Sequence, residues 1–167
     1  DGTTNTVTYA ITAQSCTGAF AIDSSSGAIT VADTSAIDYE AGVTSCTIAV
    51  RATSADGSTA DTTFTVTITD ADEFDVGSVT DTDSDANTLA EDVSNGASAE
   101  ITASATDADG STNTVTYAIT AQSCTGAFAI DSSSGVVTVA DSSVLDHETS
   151  TSCTVTVTAT SADGSTA

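Results

Sequence analysis

Proline, tryptophan, methionine and lysine are absent from this sequence, and arginine occurs once, at position 51. The missing cations carry the most information. With 24 acids against one arginine and one histidine, the formal net charge is −23. Nucleic-acid binding needs a basic footprint that displaces counterions from phosphate, so that class of partner is excluded. An anionic membrane surface is disfavoured for the same reason. No apolar run approaches the roughly 20 residues of a spanning helix, so the sequence holds no membrane span. None of the asparagines Asn5, Asn87, Asn95 and Asn113 sits in an Asn-x-Ser/Thr sequon. Serine is abundant, yet no nucleophile elbow and no activating base accompany it, so an enzyme is not expected.

What is present is patterned. Apolar residues make up 39% of the chain, and they alternate with polar ones, which argues for a folded protein despite the charge. Val7, Tyr9 and Ile11 alternate with threonine and alanine; so do Ile48, Val50 and Ala52, and Phe64, Val66 and Ile68. Ile101, Ala103 and Ala105, then Val115, Tyr117 and Ile119, then Val155, Val157 and Ala159 follow the same rule. Period two with threonine on the wet face predicts strands with one apolar side. The clusters "DSSSG" (23–27 and 131–135) and "SADG" (54–57 and 161–164) read as turns between them. Short strands at this spacing, without a sustained helical period, predict an all-β fold of antiparallel Greek-key sandwiches of the immunoglobulin type.

The chain also repeats itself. "DGTTNTVTYAITAQSCTGAFAIDSSSGAITVADTSAIDYE" from Asp1 returns as "DGSTNTVTYAITAQSCTGAFAIDSSSGVVTVADSSVLDHE" from Asp109. The second copy drops a residue after Glu148, and the register resumes at "SCT". A period this long means one domain per repeat. We expect a first repeat over 1–75 that lacks its first strands and a second over 76–167 that lacks its last, both from a longer tandem array. Asp1, without a methionine or a signal-like segment before it, reads as the edge of a fragment or of a mature product. The copies are also informative where they differ. His147 stands where the first copy has Tyr39, which predicts an exposed loop residue and not a base. Arg51 is replaced by Thr158 and is expected to pair with a nearby acid.

The four cysteines fall singly in "SCT" contexts, not as CxxC, so disulfides are favoured over zinc. The recurring intradomain pairs are Cys16–Cys46 and Cys124–Cys153. Closing loops of that length is worth about 3–4 kcal/mol in the chain-entropy model. Disulfides place the protein in an oxidising, extracellular or cell-surface location.

The acids collect at predicted strand ends. "IDYE" supplies Asp38 and Glu40, "TDADEFD" supplies Asp70, Asp72 and Glu73, and "ATDADG" supplies Asp107 and Asp109. If successive sandwiches stack end to end, these carboxylates meet at one junction, where they repel each other or hold protons at raised pKa. Calcium answers that repulsion. It takes six to eight oxygen ligands in irregular geometry, and two or three ions bring roughly four to six positive charges. Magnesium, which wants a small octahedron and keeps its waters, fits less well. Asp-x-Asp-Gly is also ordinary turn chemistry, and that reading is kept for Asp56 and Asp163.

Taken in order, "ATDADGSTNTVTYAIT", "GAFAIDSSSGAITV", "IDYE" or "LDHE", "CTIAVRATSADG" and "TFTVTITDADE" resemble cadherin repeats, in the bacterial or archaeal cadherin-like form. The resemblance spans essentially the whole chain and implies calcium held between consecutive domains by the seven junction residues named above. It further implies that Glu91, Asp146 and Glu148 serve a following junction and Asp1 a preceding one. The sequence departs from the family in its linker, "DADEFD" without the usual Asn and Pro, and in Ser54 and Ser161 where the family has an aspartate.

The reading is an extracellular, calcium-rigidified rod in cell adhesion, surface attachment or matrix, such as a prokaryotic cell-surface adhesin. Its partners are neighbouring repeats of the same chain, with homotypic self-association or surface glycans as further candidates. A self-assembling filament subunit with lateral or strand-exchange contacts is the alternative. A carbohydrate-binding module comes second, since three tyrosines and four phenylalanines leave little for an aromatic binding row.

Overall fold

The period-two runs become strands, and the disulfides staple them. A computed structural model describes residues 6–167 and separates the chain into two units, Asp1–Ala71 and Asp72–Ala167. Asp1 lies outside the described residues.

In the first unit, β1 (Val7–Gln14), β4 (Ser45–Ser54) and β5 (Thr59–Thr67) form an antiparallel sheet in the order β1-β4-β5. A hairpin of β2 (Phe20–Ile22) and β3 (Ile29–Val31) makes the second layer. The alternation sets the register: Tyr9 faces Ala52 and Ile11 faces Val50 across β1 and β4. Ile48 is fully buried and packs with Phe20, Val50 and the disulfide sulfurs. Both cysteine pairs are joined, with Cα–Cα distances of 5.6 Å for Cys16–Cys46 and 5.5 Å for Cys124–Cys153.

The second unit contains β6 (Thr80–Asp81), β7 (Ser98–Ser104), β8 (Val115–Gln122), β9 (Phe128–Ile130), β10 (Val136–Val139) and β11 (Val155–Ser161). One sheet runs β6-β7-β10-β9, and β8 pairs with β11. The bulge between Ile11 and Ala13 in β1 recurs between Ile119 and Ala121 in β8. Val76, Ala103, Tyr117 and Ala159 form this unit's buried cluster. Its core is built largely of alanine and valine, and one aromatic hydroxyl fixes the packing. Tyr117 Oη accepts from Ala105 N–H at 3.0 Å and donates to Ala105 O at 3.3 Å.

The turn clusters fold as their chemistry dictates. Asp23 Oδ1 accepts from the N–H groups of Ser25 and Ser26, and Asp131 Oδ1 does the same with Ser133 and Ser134. Asp33 and Asp141 cap short 3-10 turns at Thr34–Ala36 and Ser142–Val144. Arg51 meets Asp61, its cross-strand neighbour, through two 2.8 Å bonds. Both partners are about half exposed, so the pair contributes little to stability.

One expectation about the core changes. Phe64 and Val66 alternate as a core face does, yet they are 49% and 36% exposed. Among the described residues of the first unit, the layer opposite that face holds only the β2–β3 hairpin.

Ile48 offers the cleanest test of the first core. Ile48→Ala opens a cavity where the side chain has no exposure, and it should cost roughly 3 kcal/mol. Urea denaturation followed by circular dichroism measures it.

Candidate cation-binding poles

Each unit presents acids at strand ends. In the first unit, Asp38 and Glu40 follow the 3-10 turn, and Asp70 follows β5. Asp38 Oδ1 accepts from Ala41 N–H at 2.9 Å, which closes the "IDYE" loop and orients it. Glu40 and Asp70 each offer a carboxylate oxygen within 4.8 Å of the other.

In the second unit, the acids lie on three segments: 72–75, the loop after β7 at 107–112, and the turn at 161–165. Asp109 is 1% exposed, a position that a carboxylate occupies only with partners. Its Oδ1 accepts from Glu73 N–H at 3.4 Å and its Oδ2 from the Thr112 hydroxyl. Asp107 Oδ1 accepts from Asp109 N–H at 3.0 Å, which sets the Asp-x-Asp pair in a fixed turn. Asp107 Oδ2 is buried without a hydrogen-bond partner. Val76 N–H donates to Ser165 Oγ at 2.8 Å, which ties the start of the unit to the turn that holds Asp163. Glu73 and Asp109 again offer oxygens within 4.8 Å of one another.

The electrostatics of this pole differ from those of the turns. Partial desolvation, then the like charges of Asp163, Asp109, Asp75 and Asp107, raise the Asp72 pKa above its ordinary value. Asp23 and Asp131 move the other way, held down by the serine N–H and hydroxyl donors around them, the Ser26 and Ser134 amides first. A set of oxygen-only donors with one buried, unpartnered carboxylate oxygen suits a hard cation, and the irregular spacing suits calcium.

Glu91, Asp146 and Glu148 also come together, each with a carboxylate oxygen within 4.8 Å of the others. Glu91 Oε2 accepts from the backbone N–H of His147 at 3.0 Å, and Asp146 accepts from the Thr149 N–H and hydroxyl. His147 itself is exposed. Asp56 and Asp163 accept from the N–H and hydroxyl groups of Ser58 and Ser165, as turn residues do.

A further acidic group, Asp83, Asp85 and Glu100, went unnoticed in the sequence. The alternating aspartates of "TDTDSDAN" were its signal. Glu100 joins them because β7 bulges there, with Glu100 at φ 54°, the one non-glycine residue at positive φ among those described.

Comparison with known proteins agrees with this architecture. Residues 88–167 match the cadherin domain family. Among solved structures, extracellular cadherin domains 3–6 of protocadherin gamma B2 align at TM-score 0.77 and 18% identity, over 97% of this chain and 41% of that one. Mouse cadherin-23 EC22–24 aligns at TM-score 0.70 and 25% identity, over 95% of this chain and 48% of that one. Drosophila N-cadherin EC1–4 aligns at TM-score 0.73 and 22% identity, over 98% and 39%. The chain thus spans less than half the length of the structures it resembles. No curated protein matches.

The raised pKa of Asp72 has a defined sign. The folded state binds that proton more tightly than the unfolded chain, so ionised Asp72 opposes folding of the cation-free second unit. The penalty is full above the raised pKa and is relieved as pH falls through it. Asp72→Asn should therefore stabilise the cation-free unit at neutral pH and have no such effect well below the ordinary carboxylate range. Urea denaturation in chelator at the two pH values measures both.

Proposed function

We propose that this chain is a stretch of cadherin-like extracellular repeats that work as a calcium-stiffened rod in adhesion or attachment. The observation that carries the reading is the Asp107–Asp109 turn: a buried Asp109 carboxylate and a buried, unpartnered Asp107 oxygen, beside Glu73 and Asp72 at the start of a cadherin-like sandwich. In this proposal Asp38, Glu40 and Asp70 from the end of one repeat share calcium with Asp72, Glu73, Asp107 and Asp109 of the next. Glu91, Asp146 and Glu148 form part of the following set, and Asp1 part of the preceding one. Support comes from the donor chemistry, from the short covalent link between Asp70 and Asp72, and from the cadherin domain match. Calcium supplies the positive charge that these acids lack; the protein supplies oriented oxygens and a linker that stiffens once they are neutralised.

The protocadherin and N-cadherin structures are extracellular domains of an adhesion family, which favours a non-enzymatic, extracellular role with contacts to like repeats. One of the related structures is described as a cis-dimer, which makes self-association a natural second property to test. No observation favours a carbohydrate-binding module.

Calcium titration by calorimetry, paired with melting in chelator, tests the proposal. Two or three ions should bind per pair of repeats, and the melting temperature should rise. Saturation at a hundred times Kd stabilises by about 2.7 kcal/mol per site. Asp107→Asn should weaken binding by at least the roughly tenfold that loss of an outer-shell partner causes. Small-angle scattering should show a longer, stiffer particle with calcium than without. An absence of binding at millimolar calcium, with melting unchanged by chelator, overturns the reading.

A further inference from the structure

Two polar residues are buried among those described, Asp109 at 1% exposure and Ser161 at 4%. Asp109 lies in the loop after β7 and Ser161 is the last residue of β11. One half-buried residue joins them. The Thr112 hydroxyl donates to Asp109 Oδ2, and the Ser161 hydroxyl donates to the Thr112 carbonyl at 2.9 Å. The other donor to Asp109, the Glu73 N–H, stands at 3.4 Å, outside the usual N–H···O range of about 2.7–3.2 Å. A carboxylate withdrawn from water needs donors, and the Thr112 hydroxyl is the closer of the two that this structure gives Asp109.

A threonine hydroxyl rotates toward whatever acceptor is near, so its aim depends on what holds its backbone. Here the turn after β11 holds it. Ser161 N–H donates to Ser165 O and Gly164 N–H to Ser161 O, each at 3.0 Å, which closes the turn. From that closed turn Ser161 reaches the 107–112 loop, and Ser165 Oγ accepts from Val76 N–H at 2.8 Å. Ser165 in turn donates its hydroxyl to Asp163 Oδ1 at 2.8 Å. One turn thus braces both acid-bearing segments of the pole, 72–75 and 107–112. The effect passes on from Asp109, whose N–H donates to Asp107 Oδ1 at 3.0 Å and leaves Asp107 Oδ2 without a partner. The same residue types recur in the first copy, as Thr4 for Thr112 and Ser54 for Ser161.

We infer that Thr112 and Ser161 are positioning residues of the cation pole: Ser161 fixes Thr112, and the Thr112 hydroxyl sets the orientation in which Asp109, and through it Asp107, meets a divalent cation. The inference rests on the calcium reading above and adds to it the residues that orient the ligands. A carboxylate has about four acceptor sites on its two oxygens. The Glu73 and Thr112 donors occupy one on each oxygen of Asp109, and the remaining ones are left for the ion. Neither Thr112 nor Ser161 touches the ion in this arrangement. They act as outer-shell partners do, by holding a ligand in one rotamer before the metal arrives.

The test titrates the full 167-residue chain with calcium chloride and follows backbone amides by NMR. The amides of Glu73, Asp107 and Asp109 report this pole, and those of Asp146 and Glu148 report the other acidic set. Thr112→Val keeps the shape and removes the hydroxyl. It should weaken calcium at Glu73, Asp107 and Asp109 by at least about tenfold and leave the response at Asp146 and Glu148 unchanged. Thr112→Ser, which keeps the hydroxyl, should restore the affinity, and it carries the test if Thr112→Val does not fold. Ser161→Ala should weaken calcium at the same amides, and should add nothing once Thr112→Val is in place, because it acts through Thr112. Wild-type affinity in Thr112→Val overturns the inference alone. So does an equal loss at both acidic sets, a Thr112→Ser chain that binds no better than Thr112→Val, or losses from the two sites that simply add. A wild-type chain whose Glu73, Asp107 and Asp109 amides ignore calcium overturns the calcium reading, and this inference with it.

Discussion

Carboxylate repulsion is the constraint to which this molecule is built. With one arginine against 24 acids, and that arginine paired with Asp61 at the surface, the protein lacks cationic side chains to balance its carboxylates. It deals with them in two ways. Acids in turns are surrounded by N–H and hydroxyl donors from serines two and three residues on. Asp23, Asp33, Asp56, Asp131 and Asp141 all have lowered pKa values for that reason. These carboxylates help to fold the loops that carry them. The acids at the start of the second unit are handled differently. There Asp72 is pushed up by its surroundings and by four like charges, and an oxygen of Asp107 is buried without a donor. Donors were available to the sequence, as the serine-rich turns demonstrate. On the calcium reading, the Asp107 oxygen left without such a donor is what distinguishes a ligand set from a turn.

Much of this was legible beforehand because the sequence says it twice. The repeat fixed the cysteine pairing, since a pair that recurs in each copy closes inside one domain. Strict alternation in "VTYAIT" placed Tyr9 and Tyr117 on inner faces, and the register of β1 with β4 and of β8 with β11 follows from it. Glu91 could be placed with Asp146 and Glu148 only through family resemblance, because nothing local links residues so far apart in sequence. The group of Asp83, Asp85 and Glu100 escaped notice for a related reason. Its aspartates are visible as a run, but the glutamate arrives through a bulge in β7, and bulges are set by tertiary pairing. Asp61 as the partner of Arg51 likewise depends on the β4–β5 register, although an acidic partner of some kind was expected.

The exposure of Phe64 and Val66 shows where alternation stops being informative. Period two says that a strand has an apolar face; it does not say what covers it. Val31 and Val139 are the same residue in the same turn context, yet one is 55% exposed and the other 2%. In the second unit β7, more than thirty residues away in sequence, pairs along β10 and covers Val139. In a small sandwich without tryptophan or methionine, a single strand of alanines and one isoleucine is enough to turn a surface into a core.

The calcium reading bears on why the repeat ends are acidic at all. An apolar end would join any other apolar end, and an array of near-identical repeats would then associate out of register as readily as in register. Acidic ends repel one another in every register until a divalent cation is bound between ligands held at the right spacing. Under the calcium reading, order along the chain is conditional on two things: the ion, and the few oxygens oriented to receive it. The turn aspartates, already satisfied by serine donors, do not compete for that ion. On that reading, separating the two kinds of acid gives the repeats selectivity as well as stiffness.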